Sequence, residues 1–319
     1  MTISTRSLVD PDLLPLLDRL DPPEILNDDT LEAARARRVP PPMQRDTLSV
    51  TTEVRQAPGL ADDPAVRVLV SRPTAPPALS PRPAILHIHG GGFVMGTPEA
   101  MLPLLRRWAH ELDCVVISVD YRLAPEAAFP APLDDCYAAL KWAADNAETL
   151  GIDPARIGVA GESAGGGLAA GMTLLVRQRG GPTLAFQNLQ YPMLDDRTVT
   201  ATSPNPVTGE FLWTREKNHF GWRCYLGQEP GGTALSPFAA PSRASSLADL
   251  PPAYIGVGTL DLFLDEDLDY ALRLIRARVS VELDVFPGAF HAFELQTGAA
   301  ITKRSMSRRI EAMRQAMYP

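Results

Sequence analysis

Residues 157–165, Ile157-Gly158-Val159-Ala160-Gly161-Glu162-Ser163-Ala164-Gly165, decide how the rest of the chain is read. An apolar run of strand length ends in G-x-S-x-G, and an alanine- and glycine-rich helical pattern over 164–178 begins at once. A strand-to-helix turn this sharp forces its serine into a strained backbone conformation. Small neighbours let other segments approach closely, as a nucleophile elbow requires. The same residues also read as a glycine-rich helix start with Ser163 as N-cap, so both readings stay open on the pentapeptide alone. Phosphate-binding readings fail: a Walker A loop opening at Gly161 needs Lys where Gly167 stands, and a dinucleotide fingerprint needs glycine where Ser163 stands.

Outward from this stretch, strand patterns fall at 47–54, 66–71, 84–89, 114–120, 185–191, 253–258 and 281–286. Helical patterns lie between them at 99–112, 132–150, 164–178, 263–279 and 299–317. Strand and helix alternate after the first two strands, which predicts an α/β fold with a mostly parallel central sheet and helices on both faces. The initial pair is expected as an antiparallel edge. Two segments break the rhythm. Residues 1–39 carry Leu13, Leu16, Leu17 and Leu20 at helical spacing before the stop at Pro40-Pro41-Pro42, and 195–237 holds Trp213, Phe220, Trp222 and Tyr225 without a strand pattern.

His89-Gly90-Gly91-Gly92-Phe93 follows the strand that ends near Ile88. A glycine run lets consecutive N–H groups face a cavity with no Cβ in the way, which suits the oxyanion of an acyl-transfer intermediate. Gly91 and Gly92 are the candidate donors, with the N–H of Ala164 as the third. Alone, three glycines would be a flexible turn; beside G-x-S-x-G they gain the catalytic reading.

Taken together, the chain resembles the hormone-sensitive-lipase-like esterases. The resemblance rests on residues 89–93, on Asp120-Tyr121-Arg122-Leu123-Ala124-Pro125-Glu126, on Phe129-Pro130-Ala131-Pro132-Leu133-Asp134-Asp135 and on 161–166, in order and spacing, and spans 45–319. It implies an α/β-hydrolase with a helical cap: an N-terminal cap segment at 1–45, a core at 46–194 and 238–319, and a cap insertion at 195–237. It also implies that Ala124-Pro125 and Phe129-Pro130 are cis candidates. A serine needs a base and an orienting acid. Of five histidines, His291 stands in a loop after the last strand, where this fold carries its base. Asp261, after the strand 253–258, aligns with the acid. Asp265, Glu266 and Asp267 are expected as solvated first-turn residues of the next helix. Ser163, Asp261 and His291 are thus the expected catalytic residues. Leu262, Ala292 and Glu162 depart from the family's usual Pro, Gly and Asp, which bears on loop geometry rather than reaction class.

The implied activity is hydrolysis of short-chain acyl or aryl esters through an acyl-enzyme, with no metal or organic cofactor. Phe93, Met95, Leu212, Trp213, Phe220 and Leu262 are the expected apolar substrate pocket. The alternatives are a ligand-binding receptor on the same fold, as in plant gibberellin receptors that lack the catalytic histidine, or a lactone, amide or carbamate hydrolase using the same residues. Composition narrows the partners. The chain has 319 residues, 45% hydrophobic and 21% charged, with net charge −8 and lysine only at Lys141, Lys217 and Lys303, so nucleic acid is not an expected partner. Cys114, Cys136 and Cys224 lack CxxC spacing, which excludes a disulfide framework or zinc site and suits a reducing compartment. No stretch reads as a signal h-region or membrane span. A cytoplasmic enzyme acting on a small-molecule ester is expected, with no membrane anchor, and a homodimer is compatible with the sequence.

Overall fold

The computed structural model describes residues 4–20, 25–37 and 47–318. The proline run at 40–42 and the cap boundary at 45/46 lie outside these residues. Eight strands form one sheet: β1 Val50–Ala57, β2 Val66–Pro73, β3 Arg82–Ile88, β4 Val115–Asp120, β5 Ile152–Glu162, β6 Gln187–Gln190, β7 Ala253–Gly258 and β8 Val281–Phe286. Their spatial order is β1-β2-β4-β3-β5-β6-β7-β8. The first two strands are antiparallel to their neighbours and the other six run parallel, as the alternation predicts.

The helices are α1 Leu14–Arg19, α2 Leu31–Arg37, α3 Pro98–Leu112, α4 Ala131–Asp145, α5 Ala147–Leu150, α6 Ala164–Arg179, α7 Arg215–Leu226, α8 Leu264–Arg276 and α9 Ala300–Met317. Period-2 alternation sorts the sheet's side chains between two layers. Ile85, Val116 and Ala160 pack with Trp108 of α3 and Met313 of α9. Leu86, Ile117 and Val159 pack with Leu140 of α4, Leu168 of α6 and Leu274 of α8. The central strands, buried on both faces, read as apolar runs for this reason.

Three boundaries depart from expectation for local reasons. The helix read over 132–150 breaks at Asn146, which leaves helical geometry at ψ 21° while its side-chain amide donates to the Trp142 carbonyl. The first strand sits later than 47–54 because pairing with β2 runs from Val50 opposite Pro73 to Ala57 opposite Val66. The central strand at 157–160 extends back to Ile152, which pairs with Arg82. The expected cis bonds at Ala124-Pro125 and Phe129-Pro130 are present.

Chain order reverses between β3 and β5, which pair directly with Ile88 opposite Gly161. This switch point of an open α/β sheet is where its loops diverge and leave a crevice. Helix α6 begins there and buries every residue from Ala164 to Val176. It sits so close to β3 that a Cβ on Gly165 would lie 2.1 Å from the Ile88 carbonyl oxygen. Gly165→Ala should therefore cost about 1–3 kcal/mol, the usual range for overpacking, read as a lowered thermal midpoint.

Candidate active site

Four loops leave the carboxyl ends of β3, β5, β7 and β8 and bring together residues far apart in sequence. Ser163 follows β5 at φ 56° and ψ −122°. Its N–H donates to the Gln190 carbonyl at 2.9 Å, and its own carbonyl accepts from Met193 and Gly167 at 2.9 and 3.0 Å. The turn is thus held on both sides of a conformation that side-chain-bearing residues rarely adopt. The simple N-cap reading does not hold, since the Ser163 side chain makes no cap hydrogen bond.

The Ser163 hydroxyl lies 2.9 Å from His291 Nε2, across 128 residues of chain. His291 Nδ1 faces Asp261, with oxygens at 2.9 and 3.1 Å, and the second of these also accepts from the Phe263 N–H at 3.0 Å. Proton bookkeeping follows from the partners. A carboxylate on Nδ1 selects the tautomer protonated there, leaving Nε2 free to accept from the serine O–H. The acid and base loops are stitched together, since Leu260 N–H donates to the Ala289 carbonyl and Thr259 N–H to that of Phe286. The rings of Tyr191 and Phe263, at centroid distances of 4.7 and 5.1 Å, fix the imidazole laterally.

The glycine loop passes directly beside the elbow, with the Cβ direction of Gly90 ending 3.3 Å from Ser163 Cβ. Gly91 and Gly92 take φ of 130° and 62°, values open to glycine, which turn this stretch sharply. His89 anchors the loop. Its ring stacks on Tyr121 at 4.3 Å, its Nδ1–H donates to the Gly90 carbonyl, and Tyr121 O–H donates to the His89 carbonyl. Burial lowers this imidazole to about 4, so it stays neutral in its place under the loop.

The acids after Asp261 differ from expectation. Asp265 is exposed and accepts from Asn205, but Glu266 and Asp267 are buried rather than solvated. At 100° per residue the helix turns these two inward, and burial pushes both carboxyls well above the usual range. Glu266 binds the start of the 195–237 segment, accepting from the N–H groups of Leu194 and Asp195 and from the Thr198 hydroxyl.

Of the expected pocket residues, Trp213 faces both Gly92 and His291. Its ring covers Gly92, lies 6.2 Å from the His291 ring, and its Nε1–H donates to Asn218. Phe93 faces inward and stacks on Tyr225 at 4.0 Å. Met95 lies under Gly91, and Leu262 beside Gly209. Phe220 is buried in the same cluster, whereas Leu212 packs with the cluster around Phe290.

Sequence reading missed a buried polar cluster behind the elbow. Glu162 pairs with His87 Nε2 at 2.9 Å and with Arg309 at 2.7 Å, while His87 Nδ1 meets the Ser118 hydroxyl at 2.8 Å and Arg309 Nε donates to Asn188. Burial would raise the Glu162 carboxyl, but its contacts with His87 and Arg309 outweigh that and hold the group at about 2. The one signal available was Glu162 itself, an acidic residue in an otherwise apolar strand end.

No described helix is long and apolar enough to cross a membrane. The family model that matches, described as alpha/beta hydrolase fold, covers residues 85–295 and so includes all four loops. Esterase LipI of Mycobacterium tuberculosis is 38% identical, with 88% of this chain and 87% of that protein covered. Carboxylesterase NlhH of the same organism is 37% identical over 97% of each. Among solved structures, a bacterial heroin esterase superposes with a TM-score of 0.91 at 41% identity, covering 99% of this chain and 100% of the other. Family model, relatives and fold agree with the loop geometry, and the chain belongs to the hormone-sensitive-lipase-like esterases of the α/β-hydrolase fold.

Proposed function

We propose that this serine carboxylesterase hydrolyses short-chain acyl and aryl esters through Ser163, His291 and Asp261. The observation that carries the reading is the continuous hydrogen-bond chain from the Ser163 hydroxyl through His291 to Asp261, with 2.9 Å contacts on both sides of the imidazole. His291 takes the Ser163 proton as the oxygen attacks the ester carbonyl. The tetrahedral oxyanion is received by the N–H groups of Gly91, Gly92 and Ala164, whose loss typically costs about 3 kcal/mol of barrier per donor. The imidazolium then protonates the leaving alkoxide, freeing the alcohol and leaving Ser163 acylated. Water, deprotonated by the same nitrogen, releases the acid and restores the serine. A receptor on this fold would have no need of a base placed against Ser163, so the histidine contact favours turnover.

The cap in this reading comprises the N-terminal segment 1–45, in its described parts, and the insertion 195–237, around the core at 46–194 and 238–319. Supporting it, Glu210 of the insertion accepts from Ser4 and Thr5 at 2.6–2.7 Å, and Asp28 pairs with Arg223 at 2.6 Å. Phe93, Met95, Leu212, Trp213, Phe220 and Leu262 form the apolar surroundings of the acyl group, with Trp213 as the wall next to the oxyanion loop. A cytoplasmic location is supported by the three cysteines, all free and buried. A homodimer is supported by the exposed Leu268, Leu272 and Ile275 on one stripe of α8 beside Leu283 and Val285 of the edge strand β8.

An organophosphonate should label Ser163 alone among the serines, read by intact mass and peptide mapping; labelling elsewhere, or activity retained in Ser163→Ala, overturns the assignment. Asp261→Asn should lower kcat by about 10⁴-fold, while Asp265→Asn stays within about threefold. The reverse ranking in folded proteins would move the acid. Trp213→Ala should raise kcat/KM for octanoate relative to acetate esters by about tenfold, within the range of 10 to 200-fold that an apolar pocket commands. An unchanged ratio would remove Trp213 from the acyl wall.

A further inference from the structure

Side chains of alternate residues share a sheet face, so Ile85 and His87, Ala160 and Glu162, and Phe186 and Asn188 all point toward α9. Towards the carboxyl ends this face changes from apolar to polar, and α9 changes with it. Ile310, Met313 and Met317 supply its apolar packing. Thr302, Ser305 and Arg309, spaced three and four residues apart and so on one helix face, are 0%, 0% and 1% exposed. Burying such groups is costly unless each finds a partner. Besides Gln190 and Asn188, their partners include close neighbours of Ser163 and His291. Thr302 donates to the Phe293 carbonyl at 3.3 Å and Ser305 to the Glu294 carboxylate at 2.7 Å, two and three residues beyond His291. Arg309 donates to Glu162, the residue before Ser163, at 2.7 Å. The far oxygen of Glu294 accepts from Tyr191 O–H at 2.6 Å, and the Tyr191 ring packs on His291.

The elbow and the base loop are separate pieces of chain, and their 2.9 Å contact depends on both being in register. One rigid helix grips each of them, with anchors spanning about 10 Å of helix axis. We propose that Thr302, Ser305 and Arg309 are positioning residues, and that α9 acts as a gauge setting the separation of Ser163 from His291. This rests on the catalytic roles given above to those two residues.

The test uses the full chain with p-nitrophenyl acetate. The double variant Thr302→Val/Ser305→Ala removes both bonds to the base loop, and with them the contact from Gln190 to Ser305, while Glu294, half-buried, keeps Tyr191. We expect kcat and kcat/KM to fall together by about tenfold or more with KM within twofold, since a misplaced reacting group acts on the chemical step. Ser305→Thr, which keeps the hydroxyl, should retain most of the rate. Arg309→Met should reduce kcat likewise, and Arg309→Lys less. Met313→Ala, which weakens α9 packing without touching these bonds, should lower Tm and leave kcat within twofold. A folded double variant with kcat within twofold of the parent overturns the proposal, as does a loss in Met313→Ala equal to that in the double variant. Should Arg309→Met not fold, the double variant decides alone. Ser163→Ala, run alongside, separates the two readings: residual activity there sinks the catalytic assignment, whereas an inactive Ser163→Ala with a fully active double variant sinks only the role of α9.

Discussion

Ser163 is held at φ 56° and ψ −122°, a conformation that costs a residue with a side chain about 1–3 kcal/mol and survives only where the surroundings over-determine it. The surroundings here do so from every side. Backbone hydrogen bonds grip both its N–H and its carbonyl, β3 lies alongside with Ile88 opposite Gly161, and α6 starts at the very next residue. The strain presents the hydroxyl beyond the sheet edge, where the loops after β7 and β8 reach it. Release it, and neither His291 nor the glycine loop has anything to meet.

The second requirement is electrostatic. A carboxylate next to Ser163, buried at the end of a central strand, is tolerable only when compensated, and Glu162 has Arg309 and His87 against its two oxygens. Removing one partner of such a buried pair typically costs about 3–5 kcal/mol, because the other charge is left stranded. Arg309 is sandwiched further by the Trp108 ring, 4.9 Å from its guanidinium carbon. The same helix therefore closes the apolar layer of Trp108 and Met313 and neutralises the charge beside the elbow.

Much of this was legible because its signals are local. The eight strands show as apolar or alternating runs, and the elbow and glycine loop as contiguous motifs. Asp261 and His291 sit at fixed offsets from strand ends, with the family likeness selecting them among rivals. What stayed hidden depends on long-range pairing. Arg309 lies 147 residues from Glu162, so nothing in its neighbourhood marks it as an active-site support. Glu266 and Asp267 look like ordinary first-turn acids, because helix-dipole logic ranks positions along the axis and says nothing about which side faces the core. Trp213 was readable as a large apolar residue in an insertion, but its position over Gly92 comes from the path of the 195–237 segment.

The glycines differ in what blocks them, and the difference separates what this scaffold can vary from what it cannot. A Cβ at Gly161 would strike the Gly165 carbonyl at 2.4 Å, and one at Gly165 would strike that of Ile88, so in both cases the obstacle is main chain. No exchange of side chains elsewhere can make room. At Gly92 the obstacle is the Trp213 indole, 2.1 Å away, which a smaller residue would remove, although φ 62° there still favours glycine. The elbow is thus fixed by backbone, while the rim above Gly92 can change through a paired exchange at Trp213.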